Sequence, residues 1–147
     1  MSAKPSDILL VEDDDNDVFL IQRAFGRLNL PHSLQVVMNG EEAINYLEGK
    51  APYNDLERYP IPALILLDLK LPRKSGLEVL AWIRQQPQLK RLLVVVLTAS
   101  RETPDINKAY DIGANSYLVK PVNFHDFLEM IRTLDLYWLI FNEKPLV

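Results

Sequence analysis

Side chains suited to phosphoryl chemistry follow the apolar runs of this sequence. The run ILLV is followed by Glu12 and Asp13, LILL by Asp68, VVVL by Thr98 and SYLV by Lys120. A carboxylate can act as a nucleophile that forms an acyl phosphate, and an amine and a hydroxyl can stabilise negative charge on phosphoryl oxygens. These residue types predict a phosphoryl-accepting site in which Asp68 is the nucleophile, assisted by Thr98 and Lys120.

The acids after the first run predict a cation site. The stretch EDDDND places five carboxylates in six positions, and two carboxylates about 4 Å apart repel by roughly 4 kcal/mol in an effective dielectric near 20. A hard divalent cation, most plausibly Mg²⁺, would relieve this repulsion. An EF-hand loop is excluded because Val18 replaces its glycine and Ala24 its final glutamate. We interpret Asp14 as structural, and expect Asp15 and Asp17 only to cap or favour the positive end of a first helix.

Strand-like and helix-like segments alternate along the chain. Short β-rich runs are bounded by polar or turn-forming residues and lie at Ile8–Val11, Ser33–Val37, Leu64–Leu67, Leu93–Leu97 and Ser116–Val119. Apolar residues at helical spacing occur between and after them, within residues 18–28, 43–47, 77–83, 106–112 and 123–141. The alternation predicts an α/β fold with a parallel sheet covered on both faces. Because ligands bind such sheets beyond the carboxyl ends of the strands, the reactive side chains should converge on one edge.

Composition favours one compact domain without affinity for polyanions. Of the 147 residues, 48% are hydrophobic and 24% charged, so we expect a single domain over residues 1–147, with a core at about 7–135 and an extension at about 134–147. The net charge of −4, with no run of Lys or Arg, argues against direct binding to nucleic acid or to an anionic membrane. There is no cysteine, no secretory signal and no apolar segment near the roughly 20 residues of a membrane helix. We therefore expect a cytoplasmic protein.

In this order the reactive residues resemble the receiver domain of two-component response regulators. An acidic pair after the first strand, Asp68 after the third, Thr98 after the fourth and Lys120 with Pro121 after the fifth match that family over nearly all of residues 7–135. The resemblance implies a flavodoxin-like (βα)5 fold with a doubly wound parallel sheet of order 2-1-3-4-5. It also implies binding of Mg²⁺ or Mn²⁺, phosphoryl transfer to Asp68 from a histidine kinase or phosphotransfer protein, and slow self-catalysed hydrolysis in a signalling protein rather than an enzyme.

The same resemblance gives roles to individual residues. Glu12 and Asp13 would hold the metal, one largely through water and the other directly, together with Asp68 and the backbone carbonyl of Lys70. Tyr117 falls at the family's aromatic switch position. In such proteins the phosphoryl group draws the threonine hydroxyl inward, and the aromatic ring rotates into the vacated space.

Three further expectations concern the surroundings of the site. By resemblance, the Lys120–Pro121 peptide bond should be cis. Lys70 and Ser100 flank the site on two loops, where their side chains can admit or exclude attacking water and so tune the phosphoryl lifetime. His32 and His125 lie far apart in sequence without neighbouring ligands, and we interpret them as structural or exposed.

Two other function classes use similar parts. A haloacid dehalogenase-type phosphatase also has an aspartyl nucleophile and Mg²⁺, but it normally needs a second Asp two residues on, where this chain has Lys70. A nucleotide or flavin binder could share the architecture, but neither GxGxxG nor GxxxxGK[ST] occurs. A degenerate receiver that only binds partners is disfavoured because Asp68, Thr98 and Lys120 are all present.

The end of the chain is more apolar than one helical face requires. In LDLYWLIF, residues 134–141, seven of eight positions are apolar. An inward stripe would hold Phe127, Ile131, Leu134 and Trp138, which leaves Leu136, Tyr137 and Ile140 uncovered. This tail and the LPRK loop resemble single-domain regulators associated with bacterial phytochrome kinases. We predict a homodimer whose interface includes Leu136, Tyr137, Trp138 and Ile140, with back-folding onto its own domain as the alternative, and an unknown downstream protein as the target.

Overall fold

A five-stranded parallel sheet positions the reactive groups. In the computed structural model, which describes residues 7–145, the strands are β1 (Asp7–Val11), β2 (Ser33–Val37), β3 (Leu64–Leu67), β4 (Leu93–Thr98) and β5 (Ser116–Val119). The pairings are all parallel and the order is β2-β1-β3-β4-β5. The predicted fold and sheet order are therefore confirmed. Because the winding direction reverses between β1 and β3, the ends of those two strands open the crevice where ligands of such sheets bind.

Helices cover both faces of the sheet, and local signals in the sequence start most of them. They are α1 (Asp15–Arg27), α2 (Gly40–Glu48), α3 (Gly76–Gln85), α4 (Thr103–Ile112) and α5 (Phe124–Leu134). Asp14, rather than Asp15, caps α1 by accepting hydrogen bonds from the next backbone N–H groups. Ser75 and Glu78 form a reciprocal capping box at α3, and Pro104 lies in the first turn of α4, where its missing donor costs nothing.

Alternate residues of β1 belong to two separate cores. Leu9 and Val11 pack with α2 and α3, whereas Ile8 and Leu10 pack with α1 and α5. The neighbouring strands β3 and β4 are buried along their whole length. Burial of one such aliphatic side chain contributes roughly 1.5–3 kcal/mol, so these central strands are a firm base for the residues at their carboxyl ends.

The apolar pattern predicted a regular helix up to residue 141. The structure differs from this prediction after Leu134. After α5 the backbone forms a π-helical segment over Asp135–Phe141, which we call the terminal segment. In a π-helix the backbone hydrogen bonds join residues five positions apart. The next inward-facing residue after Leu134 is accordingly Leu139, which is only 5% exposed. Trp138, expected to point inward, is half-buried at the edge of the core. The wider π turn is the physical reason for this correction.

The long connection between α2 and β3 is held by tyrosines. The rings of Tyr46, Tyr53 and Tyr59 form a cluster with centroids 5.1–5.9 Å apart. The Tyr46 hydroxyl also donates to the Pro60 carbonyl at 2.9 Å. This connection is thus anchored to α2. Between residues 7 and 145, no helix is both long and apolar enough to cross a membrane.

The expected cis peptide bond before Pro121 is not found. In the described chain the cis peptide bond is Ala51–Pro52, so Lys120–Pro121 is trans. The trans form is the ordinary preference before proline, by about 0.5–1 kcal/mol. The Lys120 N–H donates to the Thr98 carbonyl at 2.8 Å, which extends the pairing of β4 and β5 up to the proline.

Candidate functional site

Three predicted metal ligands meet at the carboxyl edge of the sheet. Carboxylate oxygens of Glu12, Asp13 and Asp68 all lie within 4.8 Å of one another. Sheet pairing fixes two of them, because the Glu12 N–H donates to the Val37 carbonyl at 3.0 Å and the Asp68 N–H to the Val11 carbonyl at 3.1 Å. Glu12 and Asp68 are buried, at 1% and 5% exposure, while Asp13 is open to solvent. Hard carboxylate oxygens at this spacing fit a Mg²⁺-type cation.

Lys120 supplies the positive charge within this acidic group. Its ammonium lies 2.6 Å from Glu12 Oε1, 2.8 Å from Asp17 Oδ2 and 2.9 Å from Asp68 Oδ2. Burial alone would lower the pKa of Lys120, but hydrogen bonds to the three carboxylates raise it. The side chain is only 10% exposed. A charged amine is therefore held against Asp68, where it can also reach an oxygen of a bound phosphoryl group.

The pKa values of the two buried carboxylates are shifted in opposite directions. Burial raises the pKa of Glu12 to about 8, since the negative charge of Asp68 offsets part of the stabilisation that Lys120 provides. Burial also acts to raise the pKa of Asp68, but the hydrogen bond and charge of Lys120, with the nearby Thr98 hydroxyl and Glu12 acting in the same direction, hold that pKa below its usual value. In the absence of a bound metal ion, these shifts favour the negative charge on Asp68 over a negative charge on Glu12. The ionised group is the one predicted to be the nucleophile.

Thr98 and Tyr117 lie behind the acidic group. Thr98 is fully buried, and its hydroxyl makes no hydrogen bond to any part of the chain that the structure describes. A buried unpaired hydroxyl costs roughly 1–3 kcal/mol, so this donor is available to a ligand. The Tyr117 hydroxyl donates to the Ser100 carbonyl at 2.9 Å, and burial raises the pKa of Tyr117, which keeps the hydroxyl protonated.

Similarity to known proteins agrees with this geometry. The model of the response regulator receiver domain family matches residues 8–132. The chain is 41% identical to response regulator Rcp1 of Synechocystis sp. over 138 residues, which is 94% of this chain and 92% of the relative. This chain belongs to the response regulator receiver domain family.

Solved structures of the family superimpose closely on this receiver domain. The phosphorylated cyanobacterial phytochrome response regulator RcpA has a TM-score of 0.90 at 38% identity, with 97% of this chain and all of that chain (100%) covered. The Mn²⁺-bound form of Rcp1 has a TM-score of 0.86 at 40% identity, with the same coverage of 97% and 100%. The phosphatase and nucleotide-binding alternatives are not favoured.

Asp17 belongs to the site of this receiver domain, although we expected it only to favour the positive end of α1. Its carboxylate accepts a hydrogen bond from Lys120 at 2.8 Å, across 103 positions of sequence. Its place in the first turn of α1, after Asp14 has capped the helix, turns this side chain toward the acidic edge. The sequence holds a partial signal, because Asp17 is five residues after Glu12 in the same acidic run. Sequence alone did not tell us which of those acids faces Lys120.

Gly76 was also not anticipated as a residue of the site. It starts α3 directly against the nucleophile's own backbone, so that a Cβ at Gly76 would lie 2.1 Å from the Asp68 carbonyl oxygen and 2.7 Å from Leu69 Cα. Its N–H donates to the Leu69 carbonyl at 3.0 Å. Only a residue without a side chain allows this approach. Gly76 therefore helps to set where Asp68 leaves β3.

The flanking residues make contacts that the sequence did not specify. The Lys70 N–H donates to Asp68 Oδ1 at 3.2 Å, while its ammonium lies 3.9 Å from the Asp105 carboxylate. The Ser100 hydroxyl donates to the same carboxylate. Of the two histidines, His32 is buried and structural, as expected, because its Nε2 shares a hydrogen bond of 2.7 Å with Asp135. His125 is exposed at the start of α5.

Proposed function

We propose that Asp68 accepts a phosphoryl group from a sensor histidine kinase or phosphotransfer protein, and that this modification switches a protein-interaction surface. One observation carries the proposal: the buried, ionised Asp68 carboxylate shares Lys120 with Glu12 beside the unpaired hydroxyl of Thr98. Each of these groups meets a need of phosphoryl transfer, which depends on positioning and on stabilising negative oxygens.

The transfer is a displacement at phosphorus. An Asp68 oxygen forms a bond to phosphorus while the bond from phosphorus to the donor atom breaks, and the donor keeps that electron pair. Lys120 then faces one phosphoryl oxygen with its ammonium, and the Thr98 hydroxyl donates to another. Hydrolysis returns Asp68 and releases inorganic phosphate, so the domain acts as a slowly reset acceptor rather than as an enzyme with turnover.

Glu12, Asp13 and Asp68 would hold Mg²⁺ or Mn²⁺ together with the backbone carbonyl of Lys70. When bound, the ion neutralises the acidic group and the incoming phosphoryl oxygens. The three carboxylates within 4.8 Å of one another support this assignment, as does the Mn²⁺-bound form of the related Rcp1. Calorimetry with MgCl₂ should therefore show one site per chain, and Asp13→Asn should weaken it without replacing a buried residue.

The switch would use Thr98 and Tyr117. Once the Thr98 hydroxyl turns to the phosphoryl group, space opens on the side facing Tyr117, whose ring packs against Leu69, Val96 and Ala109. The Tyr117 hydroxyl would then exchange its present bond to the Ser100 carbonyl for a more buried position. In this way chemistry at Asp68 would alter the surface around α4 and β5.

Intact mass after incubation with a small phosphoryl donor and Mg²⁺ tests the proposal. We expect one added phosphoryl group on the wild type, and none on Asp68→Asn, which keeps the shape of the side chain but removes the nucleophile. Asp111→Asn, an exposed acid on α4, is the matched control and should be modified normally. Steady turnover of phosphate esters without an adduct would instead support a phosphatase.

The donor is proposed to be a phytochrome-type histidine kinase in the cytoplasm. The support is the similarity to the phytochrome response regulator RcpA, at a TM-score of 0.90 and 38% identity. Bacteriophytochrome response regulator RtBRR is also similar, at 43% identity. Competition among purified kinases for transfer to this domain would test the pairing, and a non-phytochrome kinase that transfers faster would contradict it.

We further propose that residues 1–147 form one receiver domain that dimerises through the terminal segment. Four large apolar side chains of that segment are exposed: Leu136 (42%), Tyr137 (58%), Ile140 (44%) and Phe141 (73%). A two-fold contact would cover them, with Trp138 at its edge. Sedimentation at micromolar concentration should show a dimer that Tyr137→Asp or Trp138→Asp converts to a monomer.

The matched control for dimerisation is Phe19→Asp. Phe19 has the same 58% exposure as Tyr137 but lies on α1, so its replacement should leave the dimer intact. A wild-type monomer at every concentration would contradict the dimer and leave the phosphoryl chemistry unaffected, because the two proposals depend on different residues.

A further inference from the structure

Asp105 connects the loops after β3 and β4, which flank the solvent-facing opening of the site above Asp68; we call this opening the mouth of the site. It lies in the first turn of α4, where its carboxylate accepts a hydrogen bond from the Ser100 hydroxyl at 2.5 Å and faces the Lys70 ammonium at 3.9 Å. Ser100 belongs to the loop after β4 and Lys70 to the loop after β3. A single carboxylate therefore joins both loops across the carboxyl edge of the sheet.

Lys70 is held at both of its ends. Its backbone N–H donates to Asp68 Oδ1 at 3.2 Å, while its ammonium is directed to α4 by Asp105. The Lys70 side chain is 73% exposed and that of Asp105 is 25% exposed. The Lys70 side chain thus connects the loop that carries the nucleophile to α4 on the solvent side.

Ser100 is fixed by three hydrogen bonds. Its hydroxyl donates to Asp105, its Oγ accepts from the Glu102 N–H at 3.2 Å, and its carbonyl accepts from the Tyr117 hydroxyl at 2.9 Å. A serine hydroxyl has one hydrogen to donate. Since that hydrogen is committed to Asp105, the Ser100 hydroxyl is not free to donate to a water molecule near Asp68.

We propose that Asp105 is a positioning residue that slows hydrolysis of phosphorylated Asp68 by holding Lys70 and Ser100 across the mouth of the site. The proposal rests on the proposed phosphorylation of Asp68. In hydrolysis, a water oxygen forms a bond to phosphorus as the bond between phosphorus and the Asp68 oxygen breaks. The carboxylate leaves with the electron pair, and the water proton passes to phosphate or solvent. This water must approach opposite the Asp68 oxygen, and we infer that the Lys70 side chain, held by Asp105, lies across that path.

Replacing Asp105 with Asn keeps an acceptor for Ser100 but removes the charge that directs Lys70. We expect hydrolysis to become about two- to fivefold faster, which is the range that one partly exposed ion pair can supply. The experiment phosphorylates each variant with acetyl phosphate and Mg²⁺, removes the donor by desalting, and follows loss of the phosphoryl adduct by intact mass. Asp105→Glu should restore a slow rate, and Asp111→Asn on the same helix should match the wild type.

A double-variant cycle distinguishes positioning from a general effect on folding. If Asp105 acts through Lys70, Asp105→Asn should have little further effect in a Lys70→Ala background. Ser100→Ala, which breaks the other connection, should also accelerate hydrolysis. A wild-type rate in Asp105→Asn, or the same acceleration with and without Lys70, would overturn the proposal. Absence of any adduct on the wild type would instead count against phosphorylation of Asp68, and with it this inference.

Discussion

The acidic edge of the sheet and the terminal segment both hold side chains in environments that do not suit them. At the acidic edge charged groups are buried, whereas in the terminal segment apolar groups are exposed. At the acidic edge, Glu12 and Asp68 are buried carboxylates that share one ammonium. In the terminal segment, Tyr137 and Phe141 are apolar side chains exposed to water. Buried charge can be compensated inside the domain by one long side chain, whereas exposed apolar surface is relieved only by another surface.

The difference shows in how each region is built. Strand pairing fixes the acids, and Lys120 reaches them from β5, 52 residues beyond Asp68. The terminal segment depends on local helix geometry, because a π turn makes Leu139, five residues after the buried Leu134, the next buried position. Changes at the acidic edge should therefore lower the stability of the whole domain more than changes in the terminal segment do.

The largest effect is expected from Lys120→Gln. Removal of the ammonium leaves the buried, ionised Asp68 carboxylate without its charged partner, and such a loss typically costs about 3–5 kcal/mol. In EDTA at neutral pH we expect a loss of about 3 kcal/mol in the free energy of unfolding, measured by urea titration. Added Mg²⁺ should recover part of it, because the ion takes over the missing positive charge. Equal loss with and without Mg²⁺ would show that Lys120 does not share its role with a cation.

Gly76→Ala tests whether the nucleophile's backbone is as tightly enclosed as the geometry indicates. The added Cβ would overlap backbone atoms of Asp68 and Leu69, and relief of that overlap requires a shift of α3 or of the site. We expect a loss of about 3 kcal/mol in stability, in the range of severe overpacking, together with weaker Mg²⁺ binding.

The matched control for Gly76→Ala is Gly26→Ala. Gly26 is exposed in α1, and a Cβ there meets nothing within 4 Å. Alanine should raise the free energy of unfolding by about 0.5–1 kcal/mol, because glycine weakens a helix by that amount. If both variants lost the same stability, close packing at the acidic edge would not be the cause.

His32→Ala tests a buried polar contact between the terminal segment and the rest of the domain. The His32 and Asp135 side chains are 2% and 13% exposed and share a hydrogen bond of 2.7 Å. Replacing His32 leaves a mostly buried carboxylate unpaired, so we expect a loss of about 2 kcal/mol by urea titration. Arg132→Ala removes an exposed pair with Glu129 at 3.7 Å and should cost less than about 0.5 kcal/mol. Equal losses of stability in His32→Ala and Arg132→Ala would contradict the expectation that a buried polar pair contributes more than an exposed one.

The two regions also differ in how much the sequence could predict. For the acidic edge, apolar runs such as LILL and VVVL predicted buried parallel strands, and the polar residue after each run predicted the convergence of Asp68, Thr98 and Lys120. Asp17 was missed because the acids of that run are chemically alike. The acid that faces Lys120 is determined by its position around the turn of α1, which the sequence alone did not tell us. Asp105 was missed because a contact between two loops leaves no periodic signal.

For the terminal segment, the sequence predicted the excess of apolar surface but not its arrangement. Leu136, Tyr137 and Ile140 are exposed as expected. The expected burial of Trp138 assumed the 3.6-residue period of an α-helix, and the π turn changed that period. Composition does not encode such a turn, and Asp135, where it begins, contacts His32 on a distant part of the chain.

The smallest expected effect needs no substitution and concerns the pH dependence of the acidic edge. The pKa of Glu12 is raised from 4.5 to about 8 in the folded state, so the folded protein binds more protons than the unfolded chain between those values. Stability from this group is fully present below about pH 4.5 and is lost as pH rises through about 8. In EDTA we expect a loss of about 1 kcal/mol between pH 6 and 7, near the limit of about 1.4 kcal/mol per pH unit for one proton.

Asp68 should not mask that slope, because its lowered pKa places its own pH dependence below the usual aspartate range, where falling pH removes stability. Glu12→Gln should remove the slope between pH 6 and 7, because the amide does not titrate. Saturating Mg²⁺ should also abolish it, because the ion binds the deprotonated carboxylate, so that the folded and unfolded states then bind equal numbers of protons at this group. If the free energy of unfolding of Glu12→Gln still fell between pH 6 and 7, the titrating group would lie elsewhere. The acidic edge would then not be the region of the domain that responds to pH.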